Sequence, residues 1–125
     1  DNRTAVCCLS SVNLELFDEW KDTQMINDLI RFLDNVLQFF IDNAPNQIER
    51  ARYSAKSERS LGLGAMGLHS YFHKHRVAFD SPEAFKLNEK IFKLILPLAE
   101  LAHKGFVTIG KKLKLHLEPT NRLTL

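Results

Sequence analysis

The sequence predicts an α/β fold in which helices dominate. Three observations carry that expectation. Residues 5–9, Ala-Val-Cys-Cys-Leu, form a short run that is apolar on both faces, as in a strand buried in a parallel sheet. Met25, Ile26, Leu29, Ile30, Leu33, Val36, Leu37 and Phe40 recur at helical spacing, with Asp28, Arg31, Asp34, Asn35 and Gln38 on the other side. Ser81-Pro82-Glu83-Ala84 opens another long periodic segment with a capping serine, a proline at the first helical position and an acid in the first turn.

Taken in order, the strand at residues 5–9 gives way to an expected turn at Ser10–Asn13. Asp22 or Thr23 can cap a helix over residues 23–42, because either side-chain oxygen can accept from the free amides of the first turn. Pro45 stops it, since the residue before a proline is pushed out of the helical region. Each large apolar side chain that this helix buries contributes ~1.5–3 kcal/mol, so its apolar face requires a partner surface. Residues 46–56 read as a short, largely exposed basic helix with Ile48, Ala51 and Ala55 on one side. Gly62–Gly67 reads as a glycine-rich turn, with a strand also possible near Leu61, and residues 65–74 as a helix. The helix opened by Ser81 carries Phe85, Leu87, Ile91, Phe92, Leu94, Ile95, Leu98 and Leu101; Pro97 should bend or interrupt it and Gly105 should end it. Leu113, Leu115 and Leu117 alternate with Lys112, Lys114 and His116, a two-residue period that suggests a final strand ended by Pro119.

At 125 residues, with 45% hydrophobic and 26% charged residues, the chain is expected to form one domain with a modest core. No apolar run approaches the ~20 residues of a membrane helix, and no membrane partner is expected. Two adjacent cysteines are not a disulfide framework, which points to a reducing, cytoplasmic compartment. Residues 1–103 carry twelve Lys/Arg against fourteen Asp/Glu, whereas residues 104–125 carry five against one. The division expected is a body over 1–104 and a divergent basic tail over 105–125. Such a tail is able to touch nucleic acid, but a solvated extension is the simpler reading.

Three constellations could carry chemistry. Gly62-Leu63-Gly64-Ala65-Met66-Gly67 fits G-x-G-x-x-G, and Asp80 follows where a ribose-binding acid belongs. The motif needs a buried apolar strand directly before it, and residues 55–60 are polar; tight packing of small residues is the favoured role. His69, His73 and His75 lack the acidic partner of H-E-x-x-H and stand among Lys74 and Arg76, so no metal site is expected. Cys7 and Cys8 are too close in sequence for an unstrained mutual disulfide, and on a strand they point to opposite faces. By themselves they would read as buried, inert thiols.

The run Cys7-Cys8-Leu9-Ser10-Ser11-Val12-Asn13-Leu14, the amphipathic helix, the basic segment up to Arg59, Leu61-Gly62-Leu63-Gly64-Ala65-Met66-Gly67 and a last helix with Leu87-Asn88 near its start follow one another in an order that resembles the large (catalytic) subunit of ribonucleotide reductase. The likeness covers about residues 4–103, and Ser57–Gly64 looks most like bacterial or phage members of the aerobic, di-metal-dependent class. It implies a segment of a ten-stranded α/β barrel, incomplete in this chain. It implies radical-based reduction of ribonucleotides to deoxyribonucleotides for DNA synthesis, in which a cysteine radical abstracts a ribose hydrogen and two further thiols on neighbouring strands become a disulfide. The position matching Cys7 is one of that redox-active pair; Cys8 matches no family cysteine and is expected to be structural. The implied partners are a ribonucleotide substrate, a radical-generating di-metal small subunit, nucleotide effectors, and thioredoxin or glutaredoxin, with no cofactor bound by this chain itself.

The family's Asn-x-Cys-x-Glu run and second redox cysteine would precede residue 1, and its relay tyrosines, phosphate loop and C-terminal thiols would follow. The chain alone is therefore expected to be inactive. Residues 105–125 do not resemble the family, as a frameshift, a split gene or an alien tail would produce; complementary large-subunit fragments are possible partners. The alternative reading is a helical interaction module, in which the two long helices pair as a hairpin and bind another protein without a reactive thiol.

Overall fold

The computed structural model describes residues 3–107, with side chains to residue 99. In chain order the elements are strand β1 (Cys8–Asn13), a 3-10 turn (Leu14–Leu16), α1 (Phe17–Trp20), α2 (Met25–Asn43), a second 3-10 turn (Asn46–Ile48), α3 (Glu49–Glu58), β2 (Leu61–Met66), α4 (Leu68–Lys74) and α5 (Pro82–Val107). Among the described residues the sheet has two strands, paired in parallel with Cys8 opposite Leu61, Leu9 opposite Gly62, Ser10 opposite Leu63 and Ser11 opposite Gly64. Parallel pairing demands a long crossover, and here residues 14–60 supply it. The α/β, helix-dominated expectation therefore holds. The expected strand and final basic tail beyond residue 107 lie outside the described residues.

Two local expectations are corrected. Ser10–Asn13 is strand rather than turn, and Gly62–Met66 is strand rather than a glycine-rich turn. Serine and glycine are weak strand formers alone, but cross-strand fit decides strand preference. Gly62 and Gly64 leave room for Leu9 and Ser11 directly opposite them. The chain turns only after Met66, at Gly67, whose φ of +76° is costly for any residue with a Cβ. A Cβ there would also meet the Asn13 side-chain oxygen. This is why α4 begins at Leu68 and not at residue 65.

Among the described residues, the sheet is covered on one face. Val12 joins Leu14, Phe17, Trp20, Ile26, Tyr71, Phe72, Ala84, Ile91 and Ile95 in one buried cluster. Phe17 meets the edges of Trp20 and Tyr71, with ring centroids 5.1 and 5.8 Å away. A second cluster places Leu37, Ile41 and Ala55 against Val6, Cys8, Phe40 and Leu61. Helix α2 bridges the two, because Ile26 lies in the first and Leu37 and Ile41 in the second. Thr23 Oγ1 accepts from the Met25 amide at 3.3 Å, and α2 ends at Asn43, with Ala44 extended before Pro45. Ser81 Oγ accepts from the Ala84 amide at 3.1 Å, as its capping role requires. Helix α5 continues through Pro97 and past Gly105 to Val107, correcting the expected break and stop. An interior proline costs about 3 kcal/mol and a glycine about 1 kcal/mol relative to alanine. Packing of Leu98 and Ala99, beyond the proline, against the core helps to offset the first, and a glycine favours a helix end where it turns left-handed.

The entry into β2 is held by an ion pair. Arg59 closes α3 in the left-handed conformation, with φ 45° and ψ 47°. Its Nε and Nη2 donate to Asp34 Oδ1 at 3.0 and 2.6 Å, and its Nη1 donates to Gln38 Oε1 at 2.7 Å. Asp34 is buried. Removing one member of such a pair strands the other charge, whereas exposed pairs such as Lys93–Glu89 contribute little. Asp34→Ala is expected to lower unfolding stability by about 2–4 kcal/mol, and Lys93→Ala by less than about 0.5 kcal/mol, as measured by urea denaturation.

Candidate redox site

Alternation along β1 divides its side chains between two faces. Cys8 and Val12 pack into the helical layer, while Leu9 is 74% exposed and Ser11 is exposed. Cys7, one residue before β1, shares the open side with them: its Sγ lies 3.6 Å from where a Cβ on Gly62 would stand. Across the ladder, Gly62, Gly64 and the exposed Met66 continue that face. The result is a sheet surface bearing a thiol, a hydroxyl and two apolar side chains, with two glycines beside them.

Both cysteines are free thiols; Cys7 is exposed and Cys8 half-buried. Cys7 Sγ donates to the Cys8 carbonyl at 3.6 Å. Partial burial of the sulfur against the sheet, and then the neighbouring Cys8 thiol, push the Cys7 thiol above its ordinary value. A raised thiol forms its thiolate at a higher pH than an ordinary cysteine does. Exchange with a disulfide then depends on how closely the attacking and leaving sulfurs are brought together.

The other sequence candidates do not join this site. Gly62 and Gly64 lie inside the ladder, and only Gly67 precedes a helix, so the glycines do not form a phosphate-binding loop. His69, His73 and His75 are exposed: His69 lies 6.0 Å from the Phe79 ring, and His75 Nε2 is 3.2 Å from Asp18 Oδ2. Among the described residues no group of three or more His, Cys, Asp or Glu could hold a metal ion. None of the described helices is long and apolar enough to cross a membrane. The two long helices pack together, but α2 also covers both strands, so this contact belongs to the α/β layer and does not support a separate interaction module. Leu9, Ser11 and Met66 stand in the runs the sequence singles out but not among its site residues; a two-residue count carried from Cys7 through Asn13 places the first two beside the thiol.

A separate polar cluster ties α1 to α4. Asp18 Oδ1 accepts from Lys21 Nζ at 2.9 Å, and its Oδ2 accepts from the Tyr71 hydroxyl at 3.1 Å. The Lys21 hydrogen bond leads in holding Asp18 below the usual carboxylate range, despite partial desolvation. Burial, reinforced by Asp18, pushes the Tyr71 phenol up to about 12.

The chain matches the family model for the ribonucleotide reductase barrel domain over residues 1–102. The ribonucleoside-diphosphate reductase large subunit of Invertebrate iridescent virus 6 is 55% identical over 91 residues, covering 72% of this chain and 10% of that protein. The large subunit of Invertebrate iridescent virus 3 is 51% identical over 96 residues, covering 76% of this chain and 15% of that protein. Among solved structures, the Actinobacillus ureae class Id ribonucleotide reductase alpha subunit superposes with a TM-score of 0.82 at 39% identity, covering 89% of this chain and 22% of that one. The chain thus spans between 10% and 22% of the length of these relatives.

Two outcomes follow from this geometry. With single-thiol variants, Cys7 (in Cys8→Ser) is expected to react with iodoacetamide about tenfold faster than Cys8 (in Cys7→Ser) under native conditions, because only Cys7 is exposed, and at similar rates in denaturant. For Tyr71 the folded value lies above the unfolded one, so the stability it contributes is complete below pH 10 and is lost as pH rises toward 12. Tyr71→Phe is expected to remove that loss from a stability–pH profile and to remove an absorbance transition near pH 12.

Proposed function

The chain belongs to the ribonucleotide reductase barrel-domain family, and on that premise we propose that it is part of a ribonucleoside-diphosphate reductase large subunit in which Cys7 is one of the two reducing thiols. The observation that carries this reading is the position of Cys7 on the uncovered face of a parallel sheet, while its neighbour Cys8 packs beneath it. A barrel strand in this arrangement presents one residue to the enclosed substrate and the next to the helical layer.

The proposed chemistry balances simply. A cysteine radical elsewhere in the barrel abstracts a ribose hydrogen and later returns one. Cys7 and a partner thiol together supply two electrons and two protons. The ribose hydroxyl leaves as water and an S–S bond joins the two sulfurs. The partner is not Cys8, because a bond between sequence neighbours on a strand is strained. It belongs to another strand of the full barrel, since the chain has two cysteines in all. The disulfide is reduced again by exchange with an external thiol. The class of protein that supplies it is thioredoxin or glutaredoxin. The proposed substrate is a ribonucleoside diphosphate, the substrate named for the viral relatives. A small subunit holding a di-metal centre generates the radical, nucleotides act as effectors, and the compartment is the cytoplasm, where reducing partners maintain thiols.

The test uses the full-length large subunit carrying this segment, with its small subunit, effector and a dithiol reductant. Cys7→Ser is expected to abolish multiple turnover, because serine cannot form the disulfide, while Cys8→Ser should retain it and lose about 1–3 kcal/mol of stability. The 125-residue chain alone should form no deoxyribonucleotide. Normal turnover by Cys7→Ser would overturn the assignment.

A further inference from the structure

Gly62 stands directly opposite Leu9 in the ladder and beside the Cys7 sulfur. A Cβ at this position would lie 2.5 Å from Leu9 Cδ2 and 3.6 Å from Cys7 Sγ. The first distance is too short for any real side chain; the second is ordinary contact. The backbone does not explain the glycine, because Gly67, not Gly62, has a positive φ. Main-chain crowding does not explain it either, since the atom obstructed is the end of a flexible and 74% exposed leucine, which can swing aside. What remains is the space over the sulfur. Leu9 fills part of it, and with Leu9 displaced, a methyl group on residue 62 would face Cys7 Sγ directly.

We infer that Gly62 is a positioning residue for Cys7: by carrying no side chain, it keeps Leu9 in place across the ladder and leaves open the approach of a second sulfur to the Cys7 thiol. Thiol–disulfide exchange requires the incoming sulfur to reach the attacked or attacking one without lateral obstruction. A methyl group beside the sulfur would narrow that approach and strip further water from the thiolate, raising the pH at which it forms. Gly64 supplies the internal control. It lies on the same strand and face, but a Cβ there would meet Ser11 Oγ at 2.8 Å and Ser10 O at 3.6 Å, not Cys7.

This inference deepens the redox reading of Cys7 and rests on it, but its test needs no turnover. In the 125-residue chain carrying Cys8→Ser, the rate of Cys7 with 5,5′-dithiobis(2-nitrobenzoate) would be followed against pH for the parent, Gly62→Ala and Gly64→Ala. Gly62→Ala is expected to slow the reaction about fivefold or more and to move its pH midpoint upward, while Gly64→Ala stays within about twofold of the parent. Leu9→Ala with Gly62→Ala removes the clash and keeps the methyl group. That pair should remain slow relative to Leu9→Ala alone, so a folding defect in the single variant leaves the test decisive. Equal rates for Gly62→Ala and Gly64→Ala, or no slowing in the Leu9→Ala background, would overturn the inference. Normal turnover of full-length Cys7→Ser would instead remove the reading beneath it, whatever the exchange rates.

Discussion

The parallel pairing of β1 with β2 in one register is the constraint on which the rest of the molecule depends. With Cys8 opposite Leu61 and Ser10 opposite Leu63, the strand period assigns every side chain of the segment to a face. Cys8, Val12, Leu61 and Leu63 join the apolar layer under α2 and α5. Cys7, Leu9, Ser11 and the glycines fall on the other side. A slip of one residue would bury the hydroxyl of Ser11 and turn Val12 outward. The core therefore fixes the register, and the register fixes where the Cys7 thiol is presented.

Both ends of the ladder are secured by contacts outside it. At the entry to β2, Arg59 reaches back to Asp34 and Gln38 on α2, so the strand starts at a set height on the helix. At the far end, Asn13 Oδ1 accepts from the Glu15 amide at 3.1 Å, and the Asn13 carbonyl accepts from Trp20 Nε1 at 3.0 Å. Asn13 pairs with Met66, and the left-handed Gly67 that follows clears the Asn13 side chain. These ties leave the strands little freedom to shift, which a thiol needs if it is to meet a partner at disulfide distance.

The helices were legible in the sequence because their signals are local. The periodic run ending before Pro45 and the Ser81-Pro82 start needed no knowledge of neighbours, and both lie within two residues of their observed bounds. The strands were not legible to the same degree. Ser10–Asn13 and Gly62–Met66 have turn-like composition, and each becomes a strand only because the other fits against it. Helix α1 was missed because four residues, Phe17–Trp20, show no period; Phe17 and Trp20 reveal it only by burial beside Tyr71. For the site, the resemblance singled out Cys7, and the alternation rule gave Cys8 the opposite face. Leu9 reads as a strand residue and Gly62 as a packing glycine; their place beside the Cys7 sulfur is a distance across the sheet, which no local pattern carries.

In the proposed reduction Cys7, and not Cys8, enters the disulfide. Peptide mapping by mass spectrometry tests it most directly, on the full-length subunit after a single turnover with external reductant withheld. Cys7 is expected to be linked to a cysteine of another barrel strand, with Cys8 recovered as a free thiol. Cys8 in the bond, or Cys7 still free after product has formed, would contradict it.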